Sequence, residues 1–154
     1  MLRVVVAAFH LIALGLGLGA VLTRGNVLRE PLSKDSLRRA FRADNLWGAA
    51  AALWVVTGLW RAFGTLEKGG EYYLHNYFFG AKMAAFLLIL LLEIGPMLML
   101  IRWRAAMRRG EAPQAFASES AARRIATLSH VEALLVVLMV FAAAAMARGY
   151  GLPA

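Results

Sequence analysis

The chain has 154 residues, 61% of them hydrophobic, with a mean hydropathy of +0.64 and a net charge of +8. That is the length of one domain, and it is too apolar for a water-soluble core of this size. The absence of cysteine excludes disulfides, iron–sulfur clusters, covalent c-type haem attachment and thiol chemistry.

Four stretches are long enough to cross the roughly 30 Å of bilayer hydrocarbon as helices. The first, about 4–23, is "VVVAAFHLIALGLGLGAVLT" and carries His10. Arg3 ahead of it resembles the start of a signal peptide, but no small-x-small cleavage site follows, so it reads as a retained helix. Gly15 and Gly19 stand in GxxxG spacing and predict a close helix contact, including the seam of a homodimer. A glycine-lined face also leaves room for a flat macrocycle. Arg24, Arg29, Lys34, Arg38, Arg39 and Arg42 then make a first basic loop.

The second stretch, about 45–63, opens with Asp44 and Asn45 in an N-cap position and ends near Trp60 and Arg61. His75 follows, among Tyr72, Tyr73, Tyr77, Phe78 and Phe79, which form an interfacial belt or the mouth of a pocket. The third stretch, about 77–101, contains Lys82, Glu93, Gly95 and Pro96, and the proline predicts a kink. A second basic loop holds Arg102, Arg104, Arg108, Arg109, Arg123 and Arg124. Within it "RGEAPQAFASESAARR" reads as a linker whose second half is an amphipathic lead-in to the fourth stretch, about 125–147, with His130 and Glu132.

Backbone groups in lipid must be satisfied within their own segment, so these spans are helices. The expected fold is all-α: an integral membrane four-helix bundle in a single domain, 1–154. Twelve of the seventeen basic residues fall in the two loops that lie on one side of such a bundle. This positive-inside pattern makes both loops cytoplasmic and both termini outside, and it accounts for the charge without nucleic acid. The Ala/Arg/Leu-rich composition favours a bacterial inner membrane.

Charges inside the apolar layer are functional candidates. At 1.5 Å per residue Lys82 lies about 8 Å below the outer surface and His10 about 10 Å, in the same layer. Snorkelling of Lys82 is the competing account. Arg61 and Lys68 are close to the outer surface and His75 lies just outside it. Glu93 follows Lys82 by eleven positions, about 16 Å along one helix face, too far to pair. Glu132 and His130 lie at a depth comparable with Glu93, so two carboxylates at one level predict a shared proton or a histidine partner.

"AFHLIALGLGLGAVLTRGNVLRE" resembles the first helix of the HemJ-type protoporphyrinogen oxidases and the wider CopD-like membrane group, and "NYFFGAKMAAFLLILLLE" resembles a later HemJ helix that carries a lysine before a leucine-rich run. The resemblance implies that His10 binds haem b and that Lys82 serves activity. The overall layout, with "YYLHNYFFGAK" and "HVEALLVVLMVFAAAAMARGYG", is similar to a family of small bacterial membrane proteins of unknown function, DUF2214-like.

Two functions follow. In the first the chain is a haem b protein, for electron transfer or oxidation of a lipophilic, porphyrin-like substrate. His10 is then the axial iron ligand, and the second is His75, the nearest in depth, or the His10 of a second copy across a dimer, His130 being too far inward. Lys82 and Arg61 neutralise the propionates, and Glu93 and Glu132 deliver protons. In the second there is no cofactor, and Lys82, Glu93, Glu132 and His130 line a polar path for a proton, an ion or a small solute, within a homo-oligomer, a dimer being favoured.

Overall fold

The computed structural model describes residues 1–63 and 75–151. Five helices occur in chain order: α1 (Leu2–Val27), α2 (Lys34–Phe63), α3 (Tyr77–Arg108), the one-turn α4 (Pro113–Phe116) and α5 (Glu119–Ala147). No strand occurs among the described residues. Tyr72, Tyr73 and Lys68 lie outside them.

The helices run past the apolar windows because capping chemistry, rather than hydropathy, decides where they stop. Ser33 Oγ accepts the Ser36 N–H at 3.0 Å while Ser36 Oγ accepts the Ser33 N–H at 2.9 Å, a reciprocal cap that starts α2 eleven residues before Asn45. Asp44 is therefore a mid-helix residue and not the N-cap expected of it. Asn76 caps α3 by accepting from the Phe78 and Phe79 N–H groups. Ser118 caps α5 at Ala121, so the amphipathic lead-in belongs to that helix.

Two ends are closed by glycine in the left-handed region. After α3, Gly110 (φ +84°) donates to Met107 and Glu111 donates to Ala106; after α5, Gly149 (φ +85°) donates to Met146 and Tyr150 to Ala145. Pro96 is buried inside α3, which continues through it.

α1 packs along α2 and against α5, and α5 packs along α3. Side chains of Val21, Trp47, Ile89, Val136 and Met139 fill one part of the core. Leu28, Leu37, Leu100, Trp103 and Ile125 fill another, at the end that carries the basic residues. The outer faces are also apolar: Leu11, Ile12, Leu87, Leu91, Leu134, Leu138 and Phe141 are exposed. A surface of that kind needs a lipid or protein cover. By length and composition α1, α3 and α5 can each cross a membrane.

Glycines set two close approaches. A Cβ at Gly25 would stand 2.6 Å from His130 Cε1 and 3.2 Å from Ser129 Cβ, so any larger residue there displaces the His130 ring or parts α1 from α5. A Cβ at Gly17 would meet the Trp47 ring at 3.3 Å. A Cβ at Gly15 or Gly19, the pair with GxxxG spacing, would meet nothing within 4 Å, and both glycines are exposed.

Candidate functional site

His10, Gly17 and Arg24 recur every seven residues, two helical turns, and so share one face of α1. That face is turned inwards. It carries Arg24 to a fully buried position between α2, α3 and α5, although the residue was grouped above with a solvent-facing basic loop.

Each N–H of the Arg24 guanidinium has an oxygen. Nη1 donates to Asp44 Oδ1 at 2.8 Å and to Glu93 Oε1 at 2.7 Å; Nη2 donates to Glu93 Oε2 at 2.8 Å and to Glu132 Oε2 at 2.7 Å. Nε donates to Ser129 Oγ at 3.0 Å, and that hydroxyl donates in turn to the Ile125 carbonyl at 2.9 Å. Five donors in a rigid fork are thus all used, the Glu93 contact being bidentate. The partners come from α2, α3 and α5, so one side chain of α1 ties four helices together.

The network continues outwards. Asp44 Oδ2 accepts from Arg104 Nη2 at 2.6 Å, and Arg104 also donates to Asn45 and to the Phe41 carbonyl while its guanidinium lies 5.1 Å from the Phe41 ring centroid. Two guanidinium groups therefore face three carboxyls. With all three ionised the cluster would hold one uncompensated negative charge, which burial makes expensive. Glu132 is fully buried, and its Oε1 has no hydrogen-bond partner among the described residues.

The two membrane carboxyls predicted at one depth do come together, on a single nitrogen of Arg24. His130 does not join them. Its Nδ1 donates to the Ala126 carbonyl at 2.6 Å and its Nε2 faces Asn26 Oδ1 at 3.0 Å, against Gly25.

A second polar group lies fourteen residues away along α1, about 21 Å at helical rise. His10 is 7% exposed and its ring stacks on Trp54, centroids 5.3 Å apart. Its Nδ1 is 2.9 Å from Thr57 Oγ1. The Thr57 hydroxyl proton is directed at the Leu53 carbonyl, 2.7 Å away, so towards His10 the oxygen accepts and Nδ1 carries the hydrogen. Lys82 Nζ lies 5.5 Å from the Trp54 ring centroid, so Trp54 is the surface on which His10 of α1 and Lys82 of α3 converge. Arg61 is half-buried near the end of α2, and His75 is exposed just before the Asn76 cap.

Ligation of haem through Nε2 suits a histidine whose other nitrogen donates, as it does here. The space fits less well. One ring face is covered by Trp54, and Cε1 sits 3.2 Å from where a Cβ on Gly58 would stand, so a macrocycle reaches Nε2 only where α1 and its neighbours part. No cluster of three or more His, Asp or Glu side chains able to hold a metal ion occurs among the described residues.

Arg24, Asp44, Ser129, Trp54 and Thr57 were not anticipated as site residues. The seven-residue recurrence of His10 and Arg24 was the signal available for the first.

A family model described as "Predicted membrane protein (DUF2214)" matches residues 2–151, and the chain belongs to that family. No curated protein and no solved structure matches it.

Proposed function

We propose that this member of the DUF2214 family of membrane proteins conducts protons along a polar path, and that the Glu93–Glu132 pair on Arg24 is the path's proton-holding station. The reading places four spans in the bacterial inner membrane, α2 supplying the fourth, with both basic segments cytoplasmic as the distribution of arginine and lysine favours. The Arg24 cluster then lies near the cytoplasmic end of the spans, and His10, Trp54 and Lys82 near the outer end.

One observation carries the reading: three carboxyls share two guanidinium groups, and the most buried carboxyl has an oxygen with no donor among the described residues. A single proton on the cluster balances the charge and gives the carboxyls a donor between them. Because both glutamates rest on the same Nη2, such a proton can pass from one to the other with little movement of Arg24. A buried site that gains and loses one proton is what a relay requires.

The test is proton uptake into liposomes with an internal pH-sensitive dye under an imposed potassium diffusion potential. Wild type should acidify the lumen faster than empty vesicles do, and Glu132→Gln, folded but unable to exchange a proton at that position, should fall to the empty-vesicle rate. A wild type no faster than empty vesicles, or an unchanged rate in Glu132→Gln, would falsify the proposal.

A haem b protein is the second reading, and the observation favouring it is the His10–Thr57 hydrogen bond. His10 would hold the group, with Lys82 and Arg61 towards its propionates, and the iron would supply redox chemistry. Its check is an absorption spectrum of purified protein, oxidised and then reduced: a Soret band that moves on reduction and vanishes in His10→Ala supports it, and a featureless wild-type spectrum after growth with ample haem supply rejects it.

A further inference from the structure

At the basic end of the helices a cavity of about 560 Å³ opens between the end of α3, the short α4 and the start of α5. Its wall is apolar where Met99, Trp103 and Phe116 line it, and its rim carries Arg102, Arg109 and Glu111. Arg109 Nε is engaged by Glu111 Oε1 at 2.7 Å, which balances those two charges. Arg102 is exposed and makes no hydrogen bond or ion pair within the described residues. The rim therefore keeps a net positive charge above a hydrophobic trough.

We propose that this cavity binds one anionic phospholipid of the bilayer, its headgroup phosphate at Arg102, beside the Arg109–Glu111 pair, and the upper part of an acyl chain along Trp103 and Phe116. Charge complementarity selects an anionic headgroup over a zwitterionic one. The apolar continuity selects a lipid over free phosphate: Arg102 is flanked on α3 by Leu98 and Ile101, both exposed large side chains, so the trough runs on into the lipid-facing surface of the helix. Pro113 and Ala117, both buried, anchor α4 and hold Phe116 against the opening. The site is separate from the Arg24 network, so it stands or falls independently of proton conduction.

The experiment is native mass spectrometry of detergent-solubilised protein titrated with phosphatidylglycerol or phosphatidylcholine, with inorganic phosphate as a competitor. Wild type should retain one phosphatidylglycerol in preference to phosphatidylcholine, and Arg102→Gln should weaken that binding about fivefold, the worth of one basic side chain at a membrane surface. Arg108→Gln removes the same charge on the same helix away from the cavity and should leave it unchanged. Arg102 is exposed, so its loss does not threaten folding. Equal retention of the two lipids overturns the proposal, as does an equal loss in Arg108→Gln, which would mean diffuse surface attraction. Displacement by millimolar phosphate would assign the site to a free anion instead.

Discussion

The two polar groups on the inward face of α1 are built by opposite means. Around Arg24 a permanent charge is buried, and every donor on it is answered by an oxygen from α2, α3 or α5. Around His10 the polar side chain carries no obligatory charge, and it is held by a ring face and a threonine hydroxyl on α2. A buried guanidinium tolerates no missing partner, because the unpaired remainder keeps its desolvation penalty. A buried imidazole can exchange tautomers and re-pair. The basic end should therefore behave as one rigid unit and the other end as a set of separable contacts.

The strongest way to break that contrast is Arg24→Gln. It leaves three carboxyls facing each other with only Arg104 to offset them. The expected loss is about 3–5 kcal/mol, as when one partner of a buried ion network is removed. Denaturant titration in detergent should show it as failure to reach the native baseline. Glu132→Gln should destabilise far less, since it removes the surplus charge and keeps an oxygen towards Nη2. If the two variants were equally unstable, the charge count offered for the cluster would be wrong.

Next in size is Gly25→Ala. Its methyl group would stand 2.6 Å from His130 Cε1, forcing the ring off the Ala126 carbonyl or α1 off α5. Overpacking of this sort costs about 1–3 kcal/mol. Gly15→Ala and Gly19→Ala enter open space and should leave the unfolding midpoint of the single chain unchanged or slightly raised. A drop in either of those would instead reveal a contact with a second copy on that face.

The contrast also explains what could be read from the sequence. Three of the four expected spans, those on α1, α3 and α5, were legible because lipid-length runs of Leu, Val and Ala have few alternatives. Their true ends were not, since the Ser33–Ser36 cap and the Gly110 closure act where hydropathy has already faded. Glu93 and Glu132 announced themselves by being carboxylates in apolar helices. Arg24 did not, because an arginine at the end of a span looks the same whether it snorkels outwards or turns in. Only its partners settle the matter, and they lie 20, 69, 105 and 108 positions away in the chain. Helix counting gives depth, whereas which helices face one another is a tertiary property. For the same reason Trp54, the side chain that both His10 and Lys82 lie against, could not be read from the sequence.

The smallest effect belongs to the other end, and it bears on the claim that contacts there are separable. Thr57→Val keeps the shape of the side chain and removes the oxygen that accepts from His10 Nδ1. A stranded buried donor would cost about 1–3 kcal/mol, but a neutral imidazole can move its hydrogen to Nε2, so the expected loss is about 1 kcal/mol. Nitrogen-15 shifts of the imidazole ring report the change directly: the wild type should carry hydrogen on Nδ1, Thr57→Ser should retain it, and Thr57→Val should shift the population towards Nε2–H. An Nδ1–H signal that persists in Thr57→Val would mean that another acceptor holds the ring. His10 would then be as firmly determined as Arg24, and the two ends of α1 would be built alike.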